Sequence, residues 1–89
     1  MNTEELIAVR KALTLNQTQM AEELGLKLRA YQDIENGTAT LRKMHILAAE
    51  RFALSRLNEL WHHDDIRKTQ WFGGLYRAAK DAADPMSED

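Results

Sequence analysis

The chain has 89 residues with 12 basic and 14 acidic side chains, a formal charge of −2 at pH 7 and no cysteine. That length suffices for one small domain, and the missing cysteines exclude disulfides and thiolate metal sites. The opening MNTEEL is polar and acidic, unlike a signal peptide, and no apolar run reaches membrane-spanning length, so a soluble cytoplasmic chain is expected.

Helix formers dominate, only Pro85 and four glycines interrupt them, and no stretch alternates apolar with polar residues. The expected class is all-α. A first helix is expected over residues 3–13, with Asn2 as its cap, Glu5 reaching back, and Leu6, Val9 and Leu13 on one face. The second covers 17–24, with Asn16 and Gln19 in the same relation. Gly25 then suits the left-handed conformation that ends a helix and a turn too tight for a β-carbon.

The third helix covers 28–36 and stops at Gly37. At about 100° per residue, Leu28, Arg29, Gln32 and Asp33 fall within one arc while Tyr31 and Ile34 point the other way. Met20 and Leu24 supply the matching apolar pair, and Ala21 is slim where two steeply crossing helices meet. Beyond Thr40 no breaker occurs until Gly73. That stretch divides into a long helix over 41–62, with FALS as a candidate bend, and another over 65–83 that Gly73 and Gly74 would kink. His45 is expected to be buried.

The last nine residues, DAADPMSED, hold four acids and no base, leaving a body with 12 basic against 10 acidic residues. A disordered acidic tail over 84–89 is expected. It is compatible with nucleic-acid binding by a mildly basic body, because phosphate attraction acts within a Debye length.

Short helix, glycine turn and short helix with these inward positions make a helix-turn-helix. The runs LNQTQMAEELG and AYQDIENG resemble the lambda-repressor-like, Cro-type (XRE-type) helix-turn-helix family. The matching positions are Leu15, Asn16 and Gln17; Met20 and Ala21; Leu24 and Gly25; and Ile34, Glu35, Asn36 and Gly37, within a resemblance covering about residues 4 to 60. It implies a five-helix DNA-binding domain over 1–62; beyond it a helical extension over 63–83 is expected, read from its apolar surplus as the dimerisation element.

The resemblance also implies residue roles. Leu28, Arg29, Gln32 and Asp33 would face the major groove: Arg29 toward guanine, Gln32 toward adenine, Leu28 against a thymine methyl, and Asp33 toward cytosine N4 or bracing Arg29. Backbone phosphates would fall to Gln17, Lys27, Thr38, Thr40, Arg42 and Lys43. Arg10 and Glu35 would form a structural pair orienting the reading helix. Two positions depart from the family pattern: Lys27 replaces a capping side chain, and Leu28 is apolar where the first reading position is more often polar.

Each assignment has a plainer competitor. The outer arc of the third helix could be an ordinary solvated face, and Arg42 and Lys43 a solvated first turn. HHDD, residues 62–65, suggests a metal site, but adjacent histidines point about 100° apart and no second cluster closes one. Gly73 and Gly74 lack the rest of a phosphate loop, and Ser55 and Ser87 lack a nucleophile context. No enzyme, metal, cofactor or small-molecule ligand is expected.

The C-terminal third carries an apolar surplus, with Leu57, Leu60, Trp61, Trp71, Phe72, Leu75 and Tyr76 as candidate dimer-interface residues. The competing account packs a sixth helix on its own domain. The functional expectation is a sequence-specific, nucleoid-associated transcriptional repressor of prokaryotic or phage type, reading a palindromic operator in double-stranded DNA as a homodimer. The alternatives are the antitoxin of a toxin pair and a protein-binding adaptor that has lost DNA.

Overall fold

The computed structural model describes residues 1–74. Leu75, Tyr76, the end of the last expected helix and the acidic tail lie outside the described residues. Six helices run in order: α1 (Thr3–Ala12), α2 (Gln17–Glu23), α3 (Leu28–Glu35), α4 (Lys43–Ser55), α5 (Leu57–Leu60) and α6 (Asp64–Arg67). A further helical segment begins at residue 70. Among the described residues there is no strand.

The first two helices start as their sequences dictate. Asn2 Oδ1 accepts from the Glu5 amide while the Glu5 carboxylate accepts from the Asn2 amide, both at 2.8 Å. Asn16 and Gln19 repeat the reciprocal arrangement at 2.8 and 2.9 Å. Each pair satisfies donors that the first helical turn leaves open. Lys27, in contrast, makes no side-chain cap on α3. At α4, His45 Nδ1 accepts from the Arg42 amide at 3.2 Å. His45 is half-buried at the helix start rather than buried in the core, a correction explained by this bond to exposed backbone.

Both early turns close in one way. The Leu26 amide donates to Ala21 O and the Gly25 amide to Glu22 O, the paired bonds that terminate a helix through a left-handed residue. Gly25 has φ +71°, but a β-carbon there would meet nothing within 4 Å. The turn therefore requires the dihedral rather than the space. After α1 the Leu15 and Thr14 amides make the equivalent bonds to Arg10 O and Lys11 O, and here Thr14 holds the left-handed position at φ 57°.

The core gathers Leu6, Val9 and Leu13 from α1 and its cap, Met20, Ala21 and Leu24 around α2, and Tyr31 and Ile34 from α3. From α4 it takes Ala49 and Ala53, both fully buried, whereas Met44, Leu47 and Leu54 on that helix are exposed. Small side chains let α4 approach closely. Leu60, Ile66 and Phe72 complete the same core at 0–1% exposure, and α6 packs on α1.

The two long helices expected after Thr40 are broken. The first ends at Ser55, whose hydroxyl donates to Phe52 O at 2.6 Å, and Arg56 leaves helical geometry at φ −118°, ψ 28°. The second stops after Arg67, where the Thr69 hydroxyl donates to Ile66 O at 2.6 Å. Hydroxyl bonds to the preceding turn compete with the backbone ladder, so the chain bends without glycine or proline.

These bends fold the aromatic segment inward. Phe72 stacks 6.2 Å from Trp61 and meets Trp71 edge-on at 5.8 Å. The assignment of Leu60 and Phe72 to a dimer surface is thereby corrected: both are buried in the monomer, because the bends turn the stripe back onto α1. Leu57, Trp61 and Trp71 are half-buried against the same core. In the HHDD turn, His63 precedes α6 and Asp64 is paired with Arg67.

Candidate nucleic-acid interface

Tyr31 and Ile34, at 0% and 2% exposure, anchor α3 against α1 and α2. That anchoring turns the opposite arc outward. Leu28 is 39% exposed and the Arg29 side chain is 87% exposed. Arg29 Nε donates to Asp33 Oδ1 one helical turn later at 3.3 Å. The acid on this face thus braces the arginine, narrowing the directions in which its guanidinium extends.

Beneath this arc lies a polar network joining three helices. Glu35 accepts from Arg10 Nε at 2.7 Å and from Arg10 Nη2 at 3.3 Å, while Arg10 Nη1 donates to Leu15 O at 3.0 Å. The Tyr31 hydroxyl donates to the same carboxylate. Gln17 Nε2 adds a further bond to Glu35 at 2.8 Å, and Gln17 Oε1 accepts from Gln32 Nε2 at 3.2 Å. Sequence reasoning placed Arg10 with Glu35 but missed that Gln17 and Gln32 join them. Glutamines 15 positions apart carry no local spacing signal.

The network shifts the chemistry of its members. Burial pushes the Glu35 carboxyl up, but hydrogen bonds from Arg10, Tyr31 and Gln17 outweigh it and hold the group below its ordinary value. The Glu35 hydrogen bond raises the Arg10 guanidinium further against the opposing effect of burial. Burial and then Glu35 push the Tyr31 phenol up. At neutral pH the centre is an ion pair capped by a neutral phenol.

The remaining sequence candidates flank the arc. Lys27 is exposed immediately before α3, and Thr38, Thr40, Arg42 and Lys43 are exposed between α3 and the start of α4. The Thr38 hydroxyl is occupied within the turn, donating to Asn36 Oδ1 at 2.7 Å. Gln17, Arg29, Gln32, Asp33, Glu35 and Asn36 line an open concavity of about 430 Å³ beside the reading arc. Lys27, Arg29, Arg42 and Lys43 are four cations near a surface whose anchored side is apolar, an arrangement suited to a polyanion.

A short helix, a left-handed glycine and a second helix docked across the first, its outer arc open, define a helix-turn-helix. The helix-turn-helix family of the XRE, lambda-repressor-like type matches residues 6–52, more than half of the chain, and the chain belongs to that family. It is a family of DNA-binding regulators. No curated protein and no solved structure gives a match. Among the described residues, no helix is long and apolar enough to cross a membrane.

Proposed function

We propose that the chain is a sequence-specific transcriptional repressor that binds a palindromic operator as a homodimer, α3 lying in the major groove. The observation that carries this reading is the outer arc of α3, with Arg29 held by Asp33 and left uncovered by the described residues. Arg29 contacts guanine, Gln32 adenine, and Leu28 a thymine methyl. Lys27, Thr40, Arg42 and Lys43 hold phosphates on either side, joined by the second amide hydrogen of Gln17, whereas both Thr38 donors are spent inside the turn. Operator occupancy excludes polymerase from the promoter.

Dimerisation follows from the small footprint of one reading helix: two copies about 34 Å apart read successive major grooves. The surface that supports it lies on α4. Met44, Leu47 and Leu54 are 68%, 56% and 40% exposed, and they share an arc of about 80° at helical spacing. Half-buried Leu57, Trp61 and Trp71 extend the apolar ground beyond α4, with Leu75 and Tyr76 outside the described residues.

Selection of bound sites from random duplexes tests the whole reading. The expected winners are inverted repeats with half-sites one helical turn apart. Failure to enrich any sequence, with salt-insensitive binding, would favour the adaptor role instead. A second protein held stoichiometrically at the α4 stripe would favour the antitoxin role.

A further inference from the structure

We propose that Glu35 fixes the amide polarity of Gln32 through Gln17, which makes Gln17 a positioning residue for base discrimination rather than only a phosphate ligand. The inference rests on the DNA-reading function proposed above. It begins with valence. An ionised carboxylate only accepts hydrogen bonds, so Gln17 must turn its nitrogen toward Glu35, as it does at 2.8 Å. The reversed amide would set a carbonyl oxygen against the carboxylate.

With its nitrogen committed, Gln17 has only Oε1 to offer Gln32. Gln32 must answer with a hydrogen, and its Nε2 lies 3.2 Å from that oxygen. One Gln32 amide hydrogen is therefore spent inside the protein, which leaves Oε1 and the second hydrogen for a ligand. An acceptor beside a donor matches the N6 amino group and N7 of adenine. Guanine offers two acceptors there, O6 and N7, and meets the Gln32 oxygen with repulsion.

A glutamine without this relay can rotate its amide to suit either purine. Rotation here breaks a hydrogen bond and places oxygen against oxygen. Because Glu35 is also held by Arg10 and Tyr31, the start of the relay is itself fixed.

Gln17→Met, which keeps the length and loses the hydrogen bonds, separates positioning from phosphate contact. The base pair read by Gln32 is first located as the one whose preference Gln32→Ala abolishes in site selection. At that pair, Gln17→Met is expected to reduce the adenine-over-guanine preference about tenfold while leaving preferences at the other positions intact. A uniform loss of affinity with the preference unchanged would make Gln17 a phosphate ligand alone and overturn the proposal, as would no effect.

A second measurement needs no DNA. In the free protein, ¹⁵N relaxation should report a restricted Gln32 side-chain amide that becomes mobile in Gln17→Met. An amide equally mobile in both proteins overturns the relay. A wild-type chain that enriches no sequence would overturn the DNA-reading function and the role in base choice, while the relaxation measurement still decides whether the relay exists.

Discussion

Arg10 and Glu35, 25 positions apart in the chain, meet at 2.7 Å and fasten the reading helix to the first helix. Their side chains are 14% and 8% exposed, so neither charge is well solvated without the other. Removing one partner strands the second. Arg10→Met is expected to lower unfolding free energy by about 3 kcal/mol in urea titration. A loss below about 1 kcal/mol would place the pair with solvated surface bridges.

The same centre sets the pH range of stability. Glu35 is held below its ordinary value of 4.5, so the unfolded chain takes up its proton first as acid is added. The contribution of Glu35 is complete above about pH 4.5 and falls as pH drops toward the folded value. Tyr31 is pushed above 10.0, so its contribution is intact below that pH and falls as pH rises past it. Urea midpoints across the pH range should show both limbs. Glu35→Gln should flatten the acid limb, and Tyr31→Phe the alkaline one.

Base contact and phosphate contact predict different losses. Arg29→Ala is expected to cost about 1–3 kcal/mol of operator affinity and relax preference at one guanine per half-site. Arg42→Ala and Lys43→Ala should weaken all duplexes alike, each lowering the salt slope by about 0.9. Quantitative binding at several salt concentrations separates the two patterns. Unchanged preference in Arg29→Ala would remove that residue from base recognition.

Thr14 occupies a left-handed position that glycine fills without strain, at φ 57°. Thr14→Gly should raise stability by about 0.5–1 kcal/mol despite the freer unfolded chain. Differential scanning calorimetry would read this as a higher Tm. A lower Tm would mean that the Thr14 hydroxyl bond to Leu13 O matters more than the dihedral.

Two apolar substitutions distinguish core from association surface. Phe72→Ala should destabilise the fold by about 3–5 kcal/mol, because Phe72 is fully buried between Trp61 and Trp71. Leu47→Glu should leave Tm nearly unchanged, since Leu47 is 56% exposed, yet shift the protein toward monomer in sedimentation and weaken operator binding. An unchanged dimer in Leu47→Glu would move the interface off α4.

The first three helices were legible because their signals are local. Asn2 with Glu5, Asn16 with Gln19, and Gly25 and Gly37 each act within a few residues of where they stand. Of the C-terminal bends, the one at Ser55 falls at the end of FALS, the candidate bend, whereas the break before Thr69 was not legible, since a threonine bonding back to Ile66 O does not announce itself by type. The inner face of α4 was not assigned from the sequence: Ala49 and Ala53 go inward where the bulkier Met44 and Leu47 stay out. Small residues at helical spacing, already noted at Ala21, were the available clue. Within the interface, the arc of α3 was visible as periodicity, whereas the Gln17–Glu35–Gln32 relay exists only once α2 and α3 are docked.

The bend at Ser55 also bears on how this reader could be transplanted. A fragment cut where the family match ends, at residue 52, would lack Leu60, Ile66 and Phe72, all of them buried with α1. A portable cassette therefore has to extend at least through Phe72, and any fusion partner should be joined beyond the aromatic segment.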